Sequence, residues 1–403
     1  MLSADGSAHA SELTPASCLR ILVTSEFPAW LSCGGTDHVA WQVASRAAAW
    51  GASVTLVTGR PASSRRTASS TTSEGVEVIT LPSVDVGRRL GVELSMVPSG
   101  GRTLSRLMRD HDFDVVFANG LYFPITVQAS AVARRTGTPL VAGAHVGRID
   151  GVSGAVRTAT TVYEHTIMRR TLRRAAAVIA VAENVGTEVR RLAPTARVHV
   201  IPNGVDSTRM ATPSTHRVTA TAEVRVIFVG RLIVNKGPHL ALDAVNRLRA
   251  DGDAVSLSFV GDGPMRPELE RQVREWGLDD CVHFAGHVPD VASHLADADI
   301  FVRPSGSEGL PLAVLEAMAA GVCVVASDIP GNRELIAHDD NGLLVTAKDV
   351  PQLVSALRRL ANDRPLRGRL AARARATAAG FTWDRTARET MSVLAMAARS
   401  PAS

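Results

Sequence analysis

The chain is predicted to be an α/β protein of two domains, on three observations. Short apolar strands alternate with helical stretches along most of its length. Its 403 residues suit two domains of ordinary size. Residues 207–222, STRMATPSTHRVTATA, carry no apolar periodicity and split the strand–helix series in two, which places a linker there. The expected layout is a loose tail over 1–18, a first domain over 19–206, a second over 223–380, and a last helix within 381–403.

The first domain opens with the strand Leu19 to Thr24. A long loop follows, with Gly34-Gly35 just before a helix from about Thr36. Glycines there permit close approach of backbone to ligand, or simply a turn. Strands are expected at Val54 to Val57 and Val76 to Leu81, with the Ser/Thr-rich stretch between them read as a surface loop. Gly87 to Arg109 reads as a helical region broken near Pro98-Ser99-Gly100-Gly101. The strand DVVFA ends at Ala118, a helix covers 125–136, and the strand Pro139 to Ala144 ends in His145. A histidine there is either structural or at the carboxyl edge of a parallel sheet, where such folds hold ligands. A helix over Val152 to Arg174 puts Arg169, Arg170, Arg173 and Arg174 on one face. That face is either solvated or set against an anionic surface. Strands at Val178 to Val181 and Val198 to Ile201 complete the first series.

The second series has strands at Arg225 to Val229, Ser256 to Val260, Val282 to Phe284, Ile300 to Val302, Val322 to Ala326 and Leu343 to Val345. Its centre of interest is 299–336. The strand ending at Arg303 runs into the loop SGSEG. Pro311 then suits the first turn of a helix that stops at Gly321. A helix N-terminus there offers free amides and a positive dipole end to a phosphate. Glu308 lies just ahead of it and Glu316 about one and a half turns inside it. An ionised carboxylate only accepts hydrogen bonds, so two of them beside a phosphate site suit a ligand that also bears hydroxyls, as a sugar nucleotide does.

The string EGLPLAVLEAMAAG, residues 308–321, resembles the E-x7-E signature of glycosyltransferase family 4. Three further stretches are similar to that family: GRLIVNKG at 230–237, IPNGVD at 201–206 and GDGP at 261–264. His145 partly matches the family's strand-end V-x-x-H-D, with Val146 in place of the aspartate. Cys323 departs from the proline that many relatives carry.

The resemblance implies the GT-B fold: two Rossmann-like domains facing each other across a cleft, with the last helix crossing back to the first. It implies a retaining transfer of sugar from a nucleotide-diphosphate donor, UDP or GDP by family habit, to a hydroxyl acceptor. It carries roles onto this chain residue by residue. Arg231 and Lys236 would bind the diphosphate, Glu316 the ribose, and Glu308 would sit beside the transferred sugar. His145 would lie near donor sugar or acceptor. Gly34 and Gly35 would approach the diphosphate, with Gly309, Leu310, Pro311 and Leu312 completing the donor loop. No metal and no cofactor beyond the donor is expected, because two cations and helix N-termini can stabilise the departing diphosphate. The D-x-D strings at 110–114, 251–253 and 297–299 read as structural. The acceptor, by this reading, attacks from the leaving-group side while Glu308 positions and stabilises the sugar. Alternatives are a sugar-nucleotide epimerase on the same fold and a non-catalytic nucleotide-sugar-binding protein.

Composition narrows the partners. With 45% hydrophobic and 21% charged residues the chain is a globular protein. No apolar run reaches the ~18 to 20 residues of a membrane helix, and the polar N-terminus lacks the apolar core of a secretion signal. The four cysteines show no metal or disulfide spacing, which suits a reducing cytoplasm. Residues 1–205 hold 21 Arg, no Lys and 15 Asp plus Glu, a net of +6, against −1 for residues 206–403. A basic first domain suits an anionic acceptor or a peripheral contact with the inner face of a membrane. Nucleic acid is disfavoured, because aromatics make up only 4% of the chain.

Overall fold

The computed structural model describes residues 19–27, 35–60, 67–85, 95–146, 154–211 and 223–400. It holds two parallel sheets, each covered by helices on both faces. In the first domain the strands are β1 (Arg20–Ser25), β2 (Ser53–Arg60), β3 (Ala68–Thr71), β4 (Glu77–Pro82), β5 (Val115–Asn119), β6 (Leu140–Ala144), β7 (Ala177–Ala180) and β8 (Val198–Val200). They lie in the order β8-β7-β6-β5-β1-β2-β4-β3. The second domain has β9 (Val224–Val229), β10 (Val255–Val260), β11 (Val282–Gly286), β12 (Ile300–Arg303), β13 (Cys323–Ser327) and β14 (Leu343–Val345), in the order β11-β10-β9-β12-β13-β14.

Central strands such as β5, β6, β12 and β13 are buried at every residue. That is why they read as continuous apolar runs rather than alternating ones. In each sheet the strand order reverses beside the first strand, between β1 and β5 and between β9 and β12. Loops leaving the carboxyl ends of those four strands therefore open onto the crevice where such sheets take ligands.

Sequence and structure part in a few places. β3 forms inside the Ser/Thr-rich stretch expected to be a loop, antiparallel to β4 at the sheet edge. All four of its residues are exposed, so no apolar alternation announced it; main-chain pairing holds it. Ser95–Met96 pairs with Val84–Asp85 as a short ladder, and among the described residues of that region the helix covers Gly100–Asp110. Residues 86–94 lie outside the described residues, as do the tail and most of the linker. The run 154–174 is helical but passes through a π-helical turn, Glu164–Met168.

The last helix, Trp383–Arg399, crosses back to the first domain. Thr382 caps it, its hydroxyl accepting from the Arg385 amide at 3.2 Å. Trp383, Met391 and Leu394 pack into the same core as Ile21, Val43 and Phe117. Arg46 meets Asp384 at 2.7 Å, and the Thr386 hydroxyl donates to the Pro202 carbonyl at 2.7 Å. Gly204 lies under the start of this helix, where a Cβ would collide with the Trp383 amide. The IPNGVD segment is thus the seat of the returning helix.

Candidate functional site

Arg303 ends β12 with its guanidinium almost fully buried (6% of the side chain exposed). It donates through Nη1 to the Val229 carbonyl at the end of β9, 2.6 Å away, and lies over the Phe228 ring. Its Nε and Nη2 both reach Glu308 Oε1 at 3.0 Å. The Ser305 hydroxyl donates to the same oxygen at 2.7 Å, and Lys236 Nζ reaches Glu308 Oε2 at 2.6 Å. Both carboxylate oxygens are thus held by cationic donors, the strong kind of hydrogen bond.

Burial alone would push the Glu308 carboxyl upward, but Lys236 and Arg303 outweigh it and hold it down to about 2. Glu308 is therefore ionised at neutral pH. Lys236 is lowered from the ordinary lysine value, chiefly by its own burial and against the pull of Glu308. Arg231 is half-buried and near enough for its charge to act on Lys236. The sequence reading put Arg231 and Lys236 around a bound anion; the anion Lys236 holds here is Glu308.

The loops are pinned to one another. The Gly306 amide donates to the Asn235 carbonyl at 2.8 Å, and Asn235 Nδ2 donates to the Ser307 carbonyl at 3.2 Å. The helix that follows spans Leu312–Ala320, so Pro311 stands one residue earlier than expected, as the N-cap rather than in the first turn. Its carbonyl accepts from the amides of both Val314 and Leu315. The amides of Leu312 and Ala313 have no acceptor among the described residues, and no side chain caps this end. They are the donors available to an anion.

Glu316 is half-buried on this helix, and no hydrogen bond or ion pair holds its carboxylate among the described residues. Burial raises it to about 7, against the opposing charges of Arg209 and Arg303. Near neutral pH it is part protonated, whereas the sequence alone suggests an ionised carboxylate.

The first domain meets this loop directly. A Cβ on Gly309 would collide with the His145 carbonyl, so only glycine lets the two backbones approach here. Asn184 Nδ2 donates to the Glu308 carbonyl at 3.2 Å, while its buried Oδ1 has no partner among the described residues. Glu334 Oε1 accepts from the Glu183 and Asn184 amides at 2.9 and 3.2 Å, a carboxylate from one domain at a helix N-terminus of the other. Gly35 starts the first helix against Leu312, whose Cδ1 lies 2.9 Å from where a Cβ on Gly35 would stand. Gly34 lies outside the described residues. Leu310 is buried in the core that joins the domains.

His145 follows β6, and burial lowers it to about 4, so its imidazole is neutral. Asn119, the last residue of β5 and fully buried, fixes the ring. Its Nδ2 donates to the Thr36 carbonyl at 2.8 Å, which turns Oδ1 toward His145 Nε2, 2.7 Å away. A carbonyl can only accept, so the amide orientation is set and His145 carries its proton on Nε2. Nδ1 is left as an acceptor.

The structure thus gathers Glu308, Lys236, Arg231, Glu316, the Gly309–Leu312 loop, Gly35 and His145 around one crevice. Sequence reasoning missed Arg303, Asn119 and Asn184. Arg303 and Asn119 each close a buried strand with a polar residue, which was the available signal. The D-x-D carboxylates serve elsewhere: Asp114 accepts from the Arg20 amide, Asp251 and Asp253 both hold Arg358, and Asp299 holds Arg225.

The model of Glycosyltransferase Family 4 matches residues 33–209, and that of Glycosyl transferases group 1 matches 223–363. A glycogen synthase of Mycobacterium tuberculosis is 29% identical over 402 residues, covering 94% of this chain and 95% of that one. An alpha-D-kanosaminyltransferase of Streptomyces kanamyceticus is 30% identical over 262 residues, 60% of this chain and 66% of its own. Among solved structures, sucrose-phosphate synthase from Thermosynechococcus elongatus superposes with a TM-score of 0.82 at 20% identity, over 94% of this chain and 98% of that one. Anabaena HepE in complex with UDP and glucose gives 0.74 at 20% identity, over 94% and 99%. With both halves matched in order and the two-sheet architecture in common, the chain belongs to the family 4 glycosyltransferases of GT-B fold.

Proposed function

We propose that this enzyme moves a sugar, with retention of anomeric configuration, from a UDP- or GDP-sugar to a hydroxyl acceptor, without a metal. The observation that carries the reading is the Glu308 carboxylate. It is held ionised by Lys236 and Arg303, next to a helix end with two free amides. The donor diphosphate takes the Leu312 and Ala313 amides and the side chains of Arg231 and Lys236. Lys236 then exchanges Glu308 for a phosphate oxygen, which frees Glu308 Oε2 to face the sugar. Glu316, with no hydrogen-bond or ion-pair partner among the described residues, accepts from the ribose hydroxyls. The departing diphosphate gains charge where these donors already point, so they stabilise the transition state more than the ground state. Its oxygen takes the proton of the attacking acceptor on the same face. The complexes of HepE with UDP and with UDP-glucose support a nucleotide sugar as the partner.

A thermal-shift panel of UDP-, GDP-, ADP- and dTDP-sugars tests the donor. A donor at ~100 times its dissociation constant adds ~2.7 kcal/mol of stability. A shift with one nucleotide that disappears in Glu316→Ala supports the assignment. No shift with any of them contradicts it. Product analysis by NMR then reads the anomeric configuration and separates transfer from epimerisation.

A further inference from the structure

Away from the cleft, a groove of about 540 Å³ runs between the helices Gly100–Asp110 and Pro124–Thr136. Arg102, Arg106 and Arg109 line it from the first helix and Arg135 from the second. All four are exposed, and among the described residues none is paired with a carboxylate. Arginines elsewhere do hold acids, Arg46, Arg190 and Arg191 in the first domain and Arg225, Arg247, Arg266, Arg271, Arg333 and Arg358 in the second. Part of the positive excess of the first domain is thus displayed along this groove.

The groove does not end the display. Arg134 adjoins Arg135 and is near enough to Arg174 to act on it. Desolvation first, then the charges of Arg170, Arg134 and Arg173, lower Arg174 from its ordinary value. Those arginines close the helical run 154–174. The same run exposes Val162 and Ile167, 57% and 44% accessible. Val162 precedes the π-helical turn and Ile167 lies within it. Arg170 and Arg174 stand at i+3 and i+7 from Ile167, so apolar and basic residues share a face.

We propose that this face docks the enzyme peripherally on an anionic lipid bilayer, the arginines at the headgroups and Val162 and Ile167 at the acyl boundary. Like charges crowded without acids are relieved by a surface of opposite sign. A nucleic acid would relieve them too, but it offers nothing to the exposed apolar pair, and no aromatic side chain lines the groove for bases to stack on. Among the described residues no helix is long and apolar enough to cross a membrane, so the contact is a surface one.

The test is co-sedimentation of the full chain with phosphatidylcholine vesicles, with and without phosphatidylglycerol. It reads binding and not transfer, so it stands or falls apart from the proposed reaction. The expected result is binding to the anionic vesicles only, weakened at least about tenfold by high salt. Arg102→Gln/Arg106→Gln/Arg135→Gln/Arg174→Gln should lose about a hundredfold or more of that affinity, with melting temperature and donor-induced shift unchanged. Val162→Ser/Ile167→Ser should bind more weakly, with all of its remaining binding removed by salt. Equal binding to neutral and anionic vesicles, or a four-arginine variant that binds like the parent, overturns the proposal. So does binding of polyphosphate or RNA by a protein that ignores vesicles.

Discussion

Lys236 Nζ lies 2.6 Å from Glu308 Oε2, joining the loop after β9 to the loop after β12. On the Glu308 side the pair is nearly closed to solvent, 7% exposed against 21% for Lys236. Replacing Lys236 by Ala leaves Glu308 to Arg303 and Ser305 and removes one charged hydrogen bond, worth about 1–3 kcal/mol. The melting temperature should fall, and donor-induced stabilisation should fall with it.

The acid limb follows from the same pair. Glu308 is held at about 2, below the unfolded carboxylate range. Its stabilising contribution is fully present above that range and is lost as pH falls toward 2. Glu308→Gln should flatten this part of a denaturation series between pH 5 and 2.

Glu316 gives a shift of the opposite sign. Its folded value is raised to about 7, so between the unfolded range and 7 the native state binds more protons than the unfolded one. Stability contributed by this group therefore falls as pH rises through that window. Glu316→Gln should be more stable than the parent at pH 8 by about 1–3 kcal/mol, and the two should converge toward pH 5. If ribose hydroxyls bind the carboxylate, donor binding at pH 6 releases a proton. Calorimetry in two buffers of different ionisation enthalpy measures it; Glu316→Gln should release none.

Asn119 and His145 make a pair that NMR can read. In the parent, imidazole nitrogen shifts should report a neutral ring protonated on Nε2 down to about pH 5, since His145 is lowered to about 4. Asn119→Asp places a carboxylate against that proton and should raise the histidine toward its ordinary value. A ring protonated on Nδ1 in the parent contradicts the assignment.

The returning helix is held by packing. Leu394 is fully buried, so Leu394→Ala should cost about 2–5 kcal/mol. Gly204→Ala should destabilise as well, because the added methyl meets the Trp383 amide. Chemical denaturation of both checks this.

Much of this was legible because parallel strands buried on both faces leave unbroken apolar runs, and because the Glu308-to-Gly321 string is long and ordered. β3 was not legible: its residues are exposed on both sides, so pairing alone makes it a strand. The proton state of Glu316 was not legible either, since it depends on burial among residues distant in sequence. Arg303 escaped notice for a similar reason. Nothing local says that its guanidinium turns back onto the Val229 carbonyl and Glu308. Asn119 acquires its meaning only when β5 and β6 lie side by side and bring it to His145.

The most direct test of the central claim is the turnover of Glu308→Gln with the donor that the shift panel identifies, alongside its dissociation constant for that donor. The account predicts a kcat lowered at least about 100-fold, with donor affinity within a few-fold of the parent, because the amides, Arg231 and Lys236 still hold the diphosphate. Undiminished turnover would show that the carboxylate gripped by Lys236 and Arg303 is a structural anchor for the loop and takes no part in transfer.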